Sequence, residues 1–244
     1  MKSSIYDLKK RGMIEQSDID FMKHLEDDVL LNLINSKIAV ERSTSVRILS
    51  EKGYIKDENF VKLLLKRLNL EKSLYTKLEI CRALKNGNEE TAKILINYLG
   101  TMGNNQHKNL PKDVSKKVSY PLPRDIIARV LCKMNTKILG VLLNNINFND
   151  EKKISELIDA IGFLVFYNIE LSKMENLKPI LDIMNRYSKN KLIMWKCTIC
   201  LSAFPLNKSI NVLEYILTNN NDEIIIKEAK RSLKLINSKI MNQK

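Results

Sequence analysis

The residues best equipped for chemistry are scattered, and few of their spacings suit a reaction. Cys197 and Cys200 stand one helical turn apart, as a redox or zinc half-site would place them. No second cysteine pair stands at ligand spacing, and the two thiols fall inside an apolar stretch rather than at a helix start that would lower their pKa. They read as small buried apolar residues. His24 and His107 are too few and too far apart for a metal site, and His107, in a polar stretch, reads as a surface residue. The pairs Asp27-Asp28, Glu89-Glu90 and Asp222-Glu223 resemble acid–base dyads, yet each lies where a helix should begin and complements its dipole. Trp195, the only tryptophan, reads as a packing residue. With no Gly-rich phosphate loop, nucleophile elbow or metal-ligand spacing, the expectation is a protein that is not an enzyme and takes no cofactor and no metal.

Four arginines have more pattern. Arg47, Arg82, Arg129 and Arg231 each stand two residues before a leucine, in Val46-Arg47-Ile48-Leu49, Cys81-Arg82-Ala83-Leu84, Ala128-Arg129-Val130-Leu131 and Lys230-Arg231-Ser232-Leu233. Two residues are about 200° around a helix, so if the leucine faces a core the arginine faces away from it. Guanidinium suits carboxylate and phosphate, and a column of such residues could hold an acidic peptide or a nucleic-acid backbone.

The elements that must carry this phrase are helices. Aligned on the leucine, the chain gives six units with Leu49, Leu84, Leu131, Ile161, Leu201 and Leu233 as equivalent core positions, spaced 35, 47, 30, 40 and 32 residues apart. Asp159 and Ile199 replace the arginine in the fourth and fifth units. Each helix is preceded by another with apolar residues at helical spacing, such as Phe60, Val61, Leu64, Leu65 and Leu68, the later ones starting near Thr136, Met174 and Ser209. Asp57, Asn88, Asp150 and Asp222 offer cap oxygens at helix starts, and Gly53 and Gly87 tolerate the left-handed turn that ends a helix. Units this small close a core only by stacking.

This alternation of paired helices resembles the HEAT and armadillo class of repeats from about residue 25 to 240. The resemblance implies an all-α fold, a right-handed α-solenoid of about six helical hairpins, with residues 1–24 as an N-terminal helical cap or lead-in and 25–244 as the repeat domain. In the HEAT pattern an Arg two turns before the core Leu is answered by an acidic residue, forming a ladder between repeats. Arg42, Lys77 and Arg124 occupy that position here, Ile154, Met194 and Ile226 depart from it, and Glu71 is the acidic partner on offer. The chain is also similar in size, charge and helix content to the HEAT-like alkylpurine DNA glycosylases. They commonly carry an Asp one turn after a Trp, where this chain has Ile199 after Trp195.

One segment breaks the pattern. Thr101 to Leu122 holds Gly103, Pro111 and Pro121 with Lys108, Lys112, Lys116 and Lys117 between them, and reads as a long basic surface loop that can be removed without loss of helix. Its lysines could grip phosphate while Tyr120 stacks on a base. The chain as a whole has 244 residues and a net charge of +13, but 32 of its 41 basic residues are Lys, so the balance alone speaks to solubility as much as to a polyanion. Free cysteines and a charge-interrupted N-terminus fit the cytoplasm. The most apolar stretch, Ile154 to Tyr167, is too short for a membrane span and contains Glu156 and Asp159. The expected function is a protein-interaction scaffold presenting a concave, partly basic helical surface to a protein partner or to an acidic segment of one; the alternative is nucleic-acid binding.

Overall fold

The computed structural model describes residues 4–146 and 149–241; residues 1–3 of the expected lead-in and 242–244 of the expected repeat domain lie outside them. Every regular element among the described residues is helical. The chain forms two compact units, Met1–Ile94 and Leu95–Lys244.

In the first unit, α1 (Ile5–Lys10) and α2 (Gln16–Met22) pack on α4 (Ala39–Glu51). Helix α3 (Asp27–Leu33) pairs with α4, and α5 (Glu58–Leu70) with α6 (Leu74–Lys85). The local causes are plain in α5. The Asp57 carboxylate caps it by accepting from the Phe60 N–H at 2.8 Å, and the apolar row from Phe60 to Leu68 is buried. Truncating Leu64 to Ala in that row costs about 2–5 kcal/mol. Gly53 takes the left-handed conformation after α4. Gly87 does not; its lack of a side chain makes room for Thr91, whose hydroxyl reaches the Ile55 carbonyl. The second helices α4 and α6 then stack, which is the armadillo- and HEAT-like arrangement.

The chain passes through α7 (Glu89–Ile96) into the second unit, where the same logic runs further. Here α9 (Leu139–Asn144) pairs with α10 (Glu151–Phe166), α11 (Met174–Arg186) with α12 (Lys191–Leu201), and α13 (Asn207–Asn219) with α14 (Glu223–Met241). The second helices α8 (Ile126–Leu131), α10, α12 and α14 stack in succession. Leu49, Leu84, Leu131, Ile161 and Leu201 are all buried, and Leu233 is half-buried.

Residues 101–122 are not a loose surface loop. Met102 and Tyr120 are buried, and the segment is tied at both ends. At its start, Gln106 donates to the Met102 carbonyl and to the Asp125 carboxylate, which also caps α8 through the Ile127 and Ala128 N–H groups. At its end, Arg231 of α14 grips its backbone. The segment is a strap across the second helices of this unit, and removing it would uncover apolar core.

Candidate functional site

The repeat register explains which side chains meet. Counting back from each core leucine, the position two before it holds the arginines, and the position five before it holds Thr44, Glu79, Ile126, Glu156, Lys196 and Glu228. These two positions are three residues apart, so they are neighbours on the same helix surface. The second row mixes Thr, Glu, Ile and Lys, so no single residue type marks it in the sequence.

In the first unit the two rows form an open network. Arg47 holds Glu79 in a two-bond fork at 2.6 and 2.7 Å between α4 and α6. Arg82 donates to the same carboxylate at 3.1 Å, and Glu51 lies 3.8 Å from both guanidinium groups. The Arg82 side chain is 45 % exposed. Leu74 and Leu78, one and two turns earlier on α6, are also exposed. The face is thus of mixed charge beside apolar residues, a correction to the bare basic column expected from the arginines alone. Below it, Arg42 forks onto Glu71 with two bonds of 2.8 Å, and Glu71 also accepts from Arg67 and from the Lys72 and Ser73 N–H groups. Burial opposes charge on Glu71, but these donors outweigh it and hold the carboxyl down at about 2.

In the second unit the rows are covered. Lys196 is fully buried, and its ammonium sits 2.8 Å from Glu156 and 2.8 Å from Asp159, both on α10. Burial raises the pKa of both carboxyls, Glu156 to about 7. Burial works against the Lys196 charge too, yet the two carboxylates more than offset it and raise its pKa. Glu156 shares its register with Glu79 and Lys196, and Asp159 stands at the arginine position of its unit, which is the sequence signal for this cluster.

Glu228 and Arg231 repeat the Glu79–Arg82 pair one for one. The Arg231 Nη1 donates to Glu228 at 2.7 Å, and its Nη2 donates to the backbone carbonyls of Lys117 at 3.1 Å and Ser119 at 2.6 Å. Arg231 is therefore buried under the strap rather than turned to solvent. Arg129 is half-buried, its Nε donating to the Pro123 carbonyl at 2.9 Å. Tyr120, expected to stack on a base, is itself 3 % exposed. Its ring packs on Phe166 and Phe163, and its hydroxyl lies against Gly162. Lys108, Lys112, Lys116 and Lys117 remain exposed along the outer side of the strap.

Between strap and helices is a cavity of about 270 Å³, lined by Arg124, Asp159, Trp195 and Arg231 from below and by His107 and Asp113 from above. His107 is not a free surface residue: it meets Trp195 edge to face at 5.0 Å. Burial, then the nearby Arg124 and Lys196 charges, lowers its pKa to about 4 and keeps it neutral. Carboxylates do line this cavity with Trp195, but they come from other helices: Asp159 of α10, paired with Lys196, and Glu228 of α14, paired with Arg231. Cys197 and Cys200 are completely buried, and burial pushes both thiols up. Among the described residues no group of three or more His, Cys, Asp or Glu is arranged to hold a metal, and no helix is long and apolar enough to cross a membrane.

No protein-family model matches the sequence, and comparison with curated proteins finds no relative. Solved structures similar to this chain include an engineered protein (17% identity, covering 87% of this chain and 96% of that one, TM-score 0.41). Others are a designed armadillo repeat protein (15% identity, 86% and 100%, TM-score 0.37) and a designed armadillo repeat protein in complex with the peptide (KR)4 (15% identity, 87% and 100%, TM-score 0.40).

Proposed function

We propose that this chain is a non-catalytic scaffold that binds a polypeptide segment of a protein partner on the second-helix face of its first unit. The observation that carries the reading is the repeated Glu–Arg pair. Where it is covered, as Glu228–Arg231, the arginine grips backbone carbonyls of a non-helical segment, a contact independent of that segment's side chains. In the same pair as Glu79–Arg82 the arginine is exposed while its carboxylate partner is mostly covered, with Arg47 beside it and Leu74 and Leu78 on the same helix. An exposed arginine flanked by leucines fits a partner segment that brings an aliphatic side chain and an acidic one. Arg129 and Arg231 then serve the fold of the second unit, and Arg47 and Arg82 serve the partner.

The test is capture of partners by the full chain and by an Arg82→Glu/Leu78→Asp variant of unchanged helical content. A partner held by the parent chain should be lost by the variant, at least tenfold in affinity. Equal retention by both would overturn the assignment.

Nucleic acid is the second reading, favoured by the exposed Lys108, Lys112, Lys116 and Lys117. Binding through several phosphates would fall steeply with salt. Weak retention on heparin with little salt dependence would exclude it.

A further inference from the structure

We propose that the cavity under the strap is a binding site for a small organic acid, its carboxylate held by Arg124 and its apolar body set against Trp195. The site belongs to the second unit and does not rest on the partner surface read on α4 and α6.

Charge selects the class of ligand. Two carboxylates of the cavity wall already have cations of their own, Asp159 in Lys196 and Glu228 in Arg231. The third, Asp113 of the strap, accepts from the Val114 N–H at 2.9 Å and lies in the field of Lys227. Arg124 has no such answer. Its side chain is exposed at the wall and makes no ion pair or hydrogen bond with the described residues. Arg42 stands at the same repeat position, seven residues before a core leucine, and Glu71 holds it in a fork. In the second unit that position instead offers the cavity a guanidinium, whose parallel N–H groups match a carboxylate.

The buried polar atoms point the same way. Among the described buried side-chain N and O atoms without a hydrogen-bond partner, two belong to this wall, Arg231 Nε and Trp195 Nε1, and both are donors. The indole N–H is near enough to Glu228 to favour its charged form without reaching hydrogen-bond geometry. A buried donor without a partner is costly, so this wall gains from an acceptor and gains nothing from a further donor.

The rest of the wall fixes the body of the ligand. Pro111, Val114, Pro121, Leu122 and Ile199 are apolar, and the Trp195 ring is held edge to face by His107. At about 30 Å³ for each water displaced, 270 Å³ accommodates about nine non-hydrogen atoms, the size of a six-carbon acid. Arg124 is also held in place. Pro123 before it accepts from Arg129, and Asp125 after it caps α8, so little backbone freedom is lost on binding.

Trp195 is the only tryptophan, so its emission reports on this cavity alone. Hexanoate is titrated into the full chain, followed by that emission and by calorimetry, with hexanamide, hexylamine and acetate as counterparts. Hexanoate should bind saturably with a Kd below about 1 mM, within reach of a ligand of this size. The amide, the amine and acetate, which lack the charge, reverse it or lack the body, should each bind at least tenfold more weakly. Arg124→Gln should weaken hexanoate at least tenfold with helical content unchanged by circular dichroism. Lys116→Glu/Lys117→Glu, on the outer side of the strap, and Arg82→Glu, in the first unit, should leave it unchanged.

No saturable heat or emission change with hexanoate would overturn the proposal. So would an amine or amide that binds as tightly as the acid, or an Arg124→Gln chain that binds like the parent. A loss in Lys116→Glu/Lys117→Glu equal to that in Arg124→Gln would show diffuse attraction of anions to a basic chain, and would overturn it too.

Discussion

At the scale of single residues, the two buried ion clusters respond to pH with opposite sign. Glu71 has a folded pKa of about 2 against an ordinary 4.5, so its contribution to stability is complete above pH 4.5 and disappears as the pH falls through 2. Glu71→Gln should therefore lower the melting temperature of the chain at pH 7 and have little effect near pH 2. Glu156 is raised to about 7, so its contribution is complete below pH 4.5 and is lost as the pH rises through 7. Thermal melts from pH 5 to 8 should show the parent losing stability relative to Glu156→Gln, by at most about 1.4 kcal/mol per pH unit. A gap that stays constant would show that Glu156 does not titrate in this range. Lys196→Met is the harsher change: it leaves two buried carboxylates without their cation and should cost about 3–5 kcal/mol by chemical denaturation.

At the scale of elements, the helices were legible because the apolar spacing of residues such as Phe60 to Leu68 has few other solutions, and the caps at Asp57, Asp150 and Asp222 stand where their types require. The strap was not legible. Its composition of Lys, Asn, Gly and Pro is that of a solvated loop, and contacts that hold it to the helices join residues far apart in the chain, among them Tyr120 with Gly162, Arg231 with Ser119, and His107 with Trp195. Nothing local announces such contacts. The same limit governs the candidate site. The periodicity of Arg47, Arg82, Arg129 and Arg231 was visible, but their burial depends on what crosses above them. Replacing residues 101–122 with a short Gly/Ser linker should accordingly lower the melting temperature by several degrees, as exposure of the surface beneath Tyr120 and Met102 demands. An unchanged melting temperature would return the segment to the status of a simple loop.

At the scale of the whole molecule, charge is divided unequally between the units. Residues 95–244 carry 23 Lys and Arg against 13 Asp and Glu, a net of +10, whereas residues 1–94 carry 18 against 15, a net of +3. Retention on a polyanion should therefore follow the second unit: Lys112→Glu/Lys116→Glu should elute from heparin at lower salt, while Arg82→Glu should shift elution less. The polypeptide partner proposed for α4 and α6 instead meets the nearly balanced unit, where contact depends on Leu74, Leu78 and Arg82 rather than on bulk charge.

The bond from Arg231 to the Lys117 carbonyl spans 114 residues of chain. A stack of repeats in which each touches only the next unfolds piecewise, with its outer members fraying first. A link from α14 back to the segment before α8 closes that series into a ring of contacts, so fraying at α14 must also release the strap, the Tyr120 ring and the covering of Trp195. Amide hydrogen exchange in α14 should accordingly be as slow as in α10, and Arg231→Ala should accelerate the two unequally, α14 first. The arginine thus sets how cooperatively the second unit opens.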